Sequence, residues 1–368
     1  MTQSLRRAAG AAMVVGVSGS ELTALECAWL KLIRPAGIIL FRRNIENATQ
    51  TRALLAQATE VCAPHSLRCV DVEGGTVDRL RDALAPMPSA QDVFTAAENS
   101  GRRALMRQHG ELVARSVKAF GFNITLAPVL DLGLPASAAV MGTRVVSADP
   151  KAVTGYCGQF LAGLAAHRVV GCGKHFPGLG GGTLDSHLDT PSIDRTMREL
   201  TNDDLYPYCE LRDRLPMIMV NHAAYPRTPG SNRPASVSPY WVTTILRKRI
   251  GYRGLIFSDD LEMGGVLKFL PIDGAAIEAI RAGMDLIEIC HSPELILHAY
   301  ESLIGEAGRS AAFRTMLMKR SQLSGQLRAQ HFAQPTPPAL SAKQFSTLQN
   351  EIDRFAATVA ARPPKAEG

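Results

Sequence analysis

Eight short, almost wholly apolar runs recur along this chain, and stretches with helical periodicity separate them. The runs are residues 13–17, 37–41, 67–72, 124–128, 169–174, 217–222, 255–259 and 286–289. The helical patterns fall near 20–33, 48–62, 102–120, 150–167, 197–214, 239–250 and 274–282. Runs this apolar have no solvent face. They suit strands covered on both sides, which is the condition of a parallel sheet wrapped by helices. Strand–helix alternation leaves two α/β architectures, an open doubly wound sheet and a closed (β/α)8 TIM-type barrel. The count of eight and a length of 368 residues favour the barrel.

The pattern changes after Gly308. Helical segments there are interrupted by Pro335-Thr336-Pro337-Pro338, an amphipathic stretch covers 341–361, and a Pro/Lys/Glu/Gly tail ends the chain. The division expected is therefore a barrel over 1–308 and a C-terminal helical extension over 309–368, either packed on the outside of the barrel or partly disordered. At the other end, Arg6-Arg7 ahead of an apolar run resembles a secretory signal. The barrel needs residues 13–17 as its first strand, so the strand is the reading adopted.

Composition removes several function classes. A net charge of +6 is spread along the chain with no basic stripe interleaved with aromatics, so no nucleic-acid partner is expected. No run of 18 apolar residues is present, so no membrane span is expected. The seven cysteines show no C-x-x-C and no metal-type clustering. They fit small buried hydrophobes in a reducing, cytoplasmic compartment.

Barrels of this kind place their chemistry at the C-terminal ends of the strands. Those ends here carry Asp71, Asp131, Lys174, His175, Asn221, His222, Ser258 and Asp259. The fifth run delivers Lys174 and His175 into a stretch with Pro177 and glycines 178, 180, 181 and 182, expected to be a mobile loop. The lysine precedes the glycines and no Gly-Lys-Ser/Thr follows, which argues against a phosphate-binding loop. The loop ends in Asp185-Ser186-His187. A carboxylate beside an imidazole orients the ring and stabilises its protonated form, which suits an acid/base catalyst. Asp259, at the end of a rigid apolar strand, suits a nucleophile. A fixed carboxylate paired with a proton donor on a loop fits glycosyl transfer with retention. A metal hydrolase using His175, His187 and His222 is the rival chemistry, but their spacing matches no ligand motif.

Three motifs carry a resemblance: Lys174-His175-Phe176-Pro177-Gly178, Asp185-Ser186-His187 and Phe257-Ser258-Asp259-Asp260-Leu261-Glu262-Met263. Together with Glu73-Gly74-Gly75, Ala127-Pro128-Val129-Leu130-Asp131 and Arg233-Pro234-Ala235-Ser236, they resemble glycoside hydrolase family three. The likeness is to its single-domain bacterial β-N-acetylglucosaminidases of peptidoglycan recycling, and it runs from about Met13 to Cys290. It implies Asp259 as nucleophile and His187 as acid/base held by Asp185. It also implies a sugar subsite of Asp71, Arg79, Arg144, Lys174 and His175. No metal and no organic cofactor are implied. The implied substrates are small N-acetylglucosamine-containing muropeptide fragments, acted on by a cytoplasmic monomer.

The chain departs from the family pattern at Val72, where glutamine is usual, and at Thr76, where arginine is usual. Val145-Val146 replaces Ser-Phe, and the first strand lacks its usual aspartate. The same scaffold leaves open a phosphorylase, since a histidine acid/base repels phosphate less than a carboxylate does. A β-glucosidase and a non-catalytic sugar-binding barrel also remain open.

Overall fold

The computed structural model describes residues 3–182, 191–333 and 335–361. The eight apolar runs form eight strands: β1 (Met13–Val15), β2 (Gly37–Leu40), β3 (Leu67–Val70), β4 (Ile124–Thr125), β5 (Val170–Phe176), β6 (Met217–Val220), β7 (Leu255–Asp260) and β8 (Leu286–Ile289). They close into one parallel barrel in the order β1-β8-β7-β6-β5-β4-β3-β2. Most strands are shorter than their apolar runs. The excess forms the loop that leaves each strand, where backbone groups are freed for side-chain and ligand contacts.

Alternate residues of every strand face the lumen and fill it. Val14, Ile39, Cys69, Leu126, Cys172, Met219, Phe257 and Leu286 belong to this inner cluster. Phe332, the last residue of the long helix Ala311–Phe332, packs against the same cluster. The outward-facing residues join the surrounding helices in a second, larger cluster.

The strand–helix joints show why the boundaries fall where they do. After β1 the helix starts only at Ala24, because Thr23 caps it. The Thr23 hydroxyl accepts from the Glu26 amide (3.1 Å) and the Glu26 carboxylate accepts from the Thr23 amide (2.8 Å). The same buried carboxylate accepts from the Ser18 amide at 2.7 Å, fixing the loop above β1. The helical pattern near 197–214 divides into Met197–Asn202 and Tyr206–Leu211, with Pro207 in the first turn of the second helix. Residues 3–10, with no expected element, form the helix Gln3–Gly10, which packs on the helices Pro293–Arg309 and Ala311–Phe332. The expected third strand breaks at Asp71, and residues 72–78 form an antiparallel pair, Val72–Gly74 with Val77–Asp78.

Residues after 309 are joined to the same apolar core. Leu348, Ile352 and Phe355 of the helix Ala342–Ala360 are buried, with Phe355 stacked on His109 at 5.9 Å. His109 lies on the helix Ala104–Ala119, which crosses the helix Pro150–Ala166 closely. Glycines make the crossing possible. A Cβ at Gly163 would sit 2.4 Å from the Arg107 carbonyl oxygen, and one at Gly110 would sit 2.1 Å from that of Phe160. Backbone atoms cannot move aside as a flexible side chain can. Gly163→Val is therefore expected to destabilise the fold by about 1–3 kcal/mol. The check is a urea titration, in which the midpoint falls at unchanged slope.

Candidate active site

Two irregularities in the barrel aim the polar side chains. Between β5 and β6 the pairing passes from Gly173↔Ile218 to Phe176↔Val220, so β5 holds one extra residue at Lys174 and His175. Between β8 and β7 it passes from Leu286↔Phe257 to Glu288↔Asp260, so β7 holds one extra residue near Asp259. Such bulges kink a strand and redirect its side chains, and they concentrate beside active sites. Here they fall on the two strands whose ends carry the expected binding pair and the expected nucleophile.

A cavity of about 180 Å³ lies at this end of the barrel. Asp71, Arg79, Arg144, Lys174, His175 and Asp259 all line it. Six of the eight residues expected from the sequence thus meet in one place. The other two, Asp185 and His187, lie outside the described residues.

The cavity wall is a buried network of charge. Lys174 Nζ donates to Asp71 Oδ1 at 2.8 Å and lies 2.7 Å from Glu73 Oε1. Arg144 holds Glu73 with two parallel bonds, Nε to Oε2 and Nη2 to Oε1, both 2.8 Å. Arg144 Nη2 also lies 3.3 Å from His175 Nε2. His175 Nδ1 is 2.6 Å from Asp131 Oδ2, and Asp131 Oδ1 accepts from the Leu179 amide at 2.7 Å. Arg79 sits at the outer edge, 3.8 Å from Asp71 Oδ2, with its guanidinium 5.8 Å from the Phe41 ring centre. Burial opposes ionisation of Glu73, but Arg144 and Lys174 outweigh it and hold the carboxyl well below the usual range. Burial likewise opposes the Lys174 charge, and Asp71 and Glu73 push its ammonium up instead.

The two adjacent acids of β7 behave differently. Burial works against the Asp259 charge. The His175 and His222 rings, the Asp260 amide at 3.0 Å and Lys174 reverse this, and the carboxyl is held below the usual range. Asp260 has the half-exposed His291 ring 3.6 Å from its Oδ2. Burial pushes it up to about 7, against the bond its Oδ1 accepts from the Glu262 amide. Of these two adjacent acids, Asp259 is thus the one whose ionised form its surroundings favour. The strand end itself is fixed by His222. Its Nε2 donates to the Asp260 carbonyl at 2.9 Å, and its Nδ1 lies 2.7 Å from the Ser236 hydroxyl.

The near end of the glycine-rich loop is held more firmly than its composition suggests. Asn221 Nδ2 donates to the His175 carbonyl at 2.9 Å, and the Tyr225 hydroxyl donates to that of Gly178 at 2.8 Å. Gly178 has φ +141 and lies so close to Asp204 that a Cβ would approach to 2.8 Å. A Cβ at Gly180 would lie 2.6 Å from the Leu132 carbonyl. At these positions glycine permits close packing, so the expected mobility does not follow from glycine content over 176–182.

The expected set omits Glu73, Asp131 and Glu288, which the structure brings to the same region. Glu73 and Asp131 stand in the quoted motifs, but a sequence does not show which side chains they grip. Glu288 carried a signal of its own, as the one charged residue in the apolar run 286–289.

With this geometry in hand, the likenesses to known proteins can be weighed. The family model described as "Glycosyl hydrolase family 3 N terminal domain" matches residues 12–313. A β-hexosaminidase of Stenotrophomonas maltophilia is 34% identical over 308 residues, covering 83% of this chain and 90% of that protein. One from Chromobacterium violaceum is 37% identical over 285 residues, covering 77% and 79%. Among solved structures, native NagZ from Neisseria gonorrhoeae superposes with a TM-score of 0.76 at 30% identity, covering 96% of this chain and 98% of that one. The chain belongs to glycosyl hydrolase family 3.

Glu73 ties two cations together, which makes it a sensitive point. Replacing one partner of a buried ion pair leaves the others uncompensated, so Glu73→Gln should cost about 3–5 kcal/mol at neutral pH. The sign of the pH effect follows from the lowered carboxyl. Its stabilisation is present above the unfolded value of about 4.3 and is lost as pH falls through the lower folded value. Chemical denaturation between pH 7 and pH 3 should therefore show a shallower acid loss in the Gln variant than in wild type. Parallel acid limbs would refute the assignment.

Proposed function

We propose that this protein is a retaining, exo-acting β-N-acetylglucosaminidase that removes a non-reducing terminal N-acetylglucosamine from peptidoglycan fragments. The observation that carries the reading is Asp259, its carboxyl held below the usual range and facing a cavity also lined by Asp71, Lys174, Arg144 and His175. Family membership and the β-hexosaminidase relatives support the class of reaction and the sugar. The peptidoglycan source rests on the motif resemblance alone. So does the cytoplasmic setting, together with seven cysteines that are all free and five of them buried.

In this mechanism Asp71, Lys174 and His175 hold hydroxyls of the sugar, with Arg79 and Arg144 supporting them. An Asp259 oxygen forms a bond to the anomeric carbon as the glycosidic C–O bond breaks. The departing oxygen takes a proton from His187, oriented by Asp185. Water then attacks the anomeric carbon, gives its proton to His187, and releases Asp259. The roles of His187 and Asp185 rest on the sequence motif. Imidazole has an ordinary pKa of about 6.5, suited to giving and retaking a proton near neutrality.

The direct test compares aryl β-N-acetylglucosaminide with aryl β-glucoside, with and without phosphate. Hydrolysis of the former, with free N-acetylglucosamine as product, is expected. A sugar phosphate would point to phosphorolysis, and preference for the glucoside would overturn the sugar assignment.

Asp259→Asn should lower kcat on the order of 10³–10⁴-fold with the fold intact. A slow substrate should leave an adduct on the peptide containing Ser258, readable by mass spectrometry. A benign Asp259→Asn beside a damaging Asp260→Asn would overturn the nucleophile.

His187→Ala should slow substrates with poor leaving groups far more than nitrophenyl ones, because an activated phenol needs little protonation. Asp185→Ala should show a smaller loss of the same kind. The double variant should be little worse than His187→Ala alone, since groups acting as a unit are not additive. Multiplying losses would give Asp185 a separate role.

A further inference from the structure

Glu288 lies on the lumen face of β8, between Leu286 and Cys290, which both belong to the inner apolar cluster. It lines the same cavity as Asp71, Lys174 and Asp259. The residue is 2% exposed, and its Oε1 has no hydrogen-bond partner among the described residues. A buried polar atom left without a partner is costly, and natural structures satisfy nearly all of them. A buried side chain with an unpartnered oxygen, lining a ligand cavity, points to a partner brought by the ligand.

The barrel order says which part of a sugar reaches it. Asp259 is the last residue but one of β7 and Asp71 follows β3, and three strands separate these two strands in either direction around the barrel. A pyranose with its anomeric carbon at Asp259 and its C4 end at Asp71 presents one edge to each flank. The β5 flank carries Lys174 and His175 with Arg144 above them. These donors suit the two polar substituents at C2 and C3. The remaining edge, C5 with its hydroxymethyl group, then faces β8, β1 and β2, where Ile39, Phe41, Cys290 and Glu288 line the cavity.

We propose that Glu288 is a specificity-determining residue that hydrogen-bonds the 6-hydroxyl of the sugar bound next to Asp259. Burial pushes the Glu288 carboxyl well above its usual range, and Asp260, Asp259 and Asp71 add to this, with Lys174 opposing. The shift favours the neutral acid, which can donate its proton to a hydroxyl oxygen or accept from the hydroxyl. A neutral side chain also adds no negative charge beside Asp259, where it would disturb the nucleophile. The inference rests on the proposed N-acetylglucosamine subsite and adds to it the residue that selects a free hydroxymethyl group.

The test measures binding, not turnover, on the full chain. Titration calorimetry would compare N-acetylglucosamine with its 6-deoxy and 3-deoxy analogues, for wild type, Glu288→Gln and Glu288→Leu. Wild type should bind the parent sugar about tenfold more tightly than the 6-deoxy analogue, the factor expected of a hydrogen bond whose loss strands a buried group. The Gln variant keeps a donor and an acceptor and should retain most of that ratio. The Leu variant should bind parent and 6-deoxy sugar equally, while its 3-deoxy ratio stays at the wild-type value. A purely structural role would weaken all three ligands together. An unchanged 6-deoxy ratio in the Leu variant overturns the inference, as does a Glu288-dependent ratio for the 3-deoxy sugar instead. Should the Leu variant fail to fold, equal binding of parent and 6-deoxy sugar by wild type decides against it. A chain that binds N-acetylglucosamine with the expected ratios but hydrolyses nothing would overturn the hydrolase reading and leave this one standing. No binding of N-acetylglucosamine by wild type would remove both.

Discussion

The Lys174 ammonium, buried between the carboxylates of Asp71 and Glu73, is the contact on which the site depends. An ammonium taken out of water is tolerated only when opposite charge replaces its hydration. Glu73 in turn needs Arg144, and Arg144 reaches His175. The network therefore stands or falls as a unit. It links the segment after β3, strand β5 and the loop after β4, elements brought together only when the barrel closes.

This arrangement turns stability into function. In the proposed reaction a sugar hydroxyl entering the cavity would meet groups whose positions are already set by one another, so little ordering would be needed on binding. The same field separates the two acids of β7. Asp259 faces the cationic side and is held below the usual range, whereas Asp260 lies away from it, 3.6 Å from the half-exposed His291 ring, and is pushed up by burial. Neighbouring residues of one type are thereby pushed apart in their titration.

The bulges in β5 and β7 connect fold and site more directly. In an unbroken strand, successive side chains point to opposite faces. Lys174 and His175 are consecutive, yet both line the cavity. The extra residue in β5 makes that possible. Near Asp259 the corresponding irregularity sets Glu288 opposite Asp260 across the β7–β8 pairing. Packing in the lumen below, with Phe257, Cys172 and Leu286 in one apolar cluster, gives these distorted strand ends a rigid base.

Much of this was legible in the sequence, for a physical reason. Strands buried on both faces must be apolar along their whole length, so eight such runs announce eight strands whatever their surroundings. Polar residues at the ends of those runs have few places to go but the mouth of the barrel, so Asp71, Lys174, His175 and Asp259 were identifiable before any contact was known. Contacts were not legible, because pairing depends on distance in space. That Glu73 rather than solvent neutralises Arg144, that residues 72–78 fold back as a hairpin, and that Gly178 and Gly180 pack against Asp204 and Leu132 are outcomes of the closed barrel. Glu288 shows the division most clearly. Its charge in an apolar strand was visible in the sequence, but only the register of β8 turns it into the lumen, and only the cavity above gives its unpartnered oxygen something to bind.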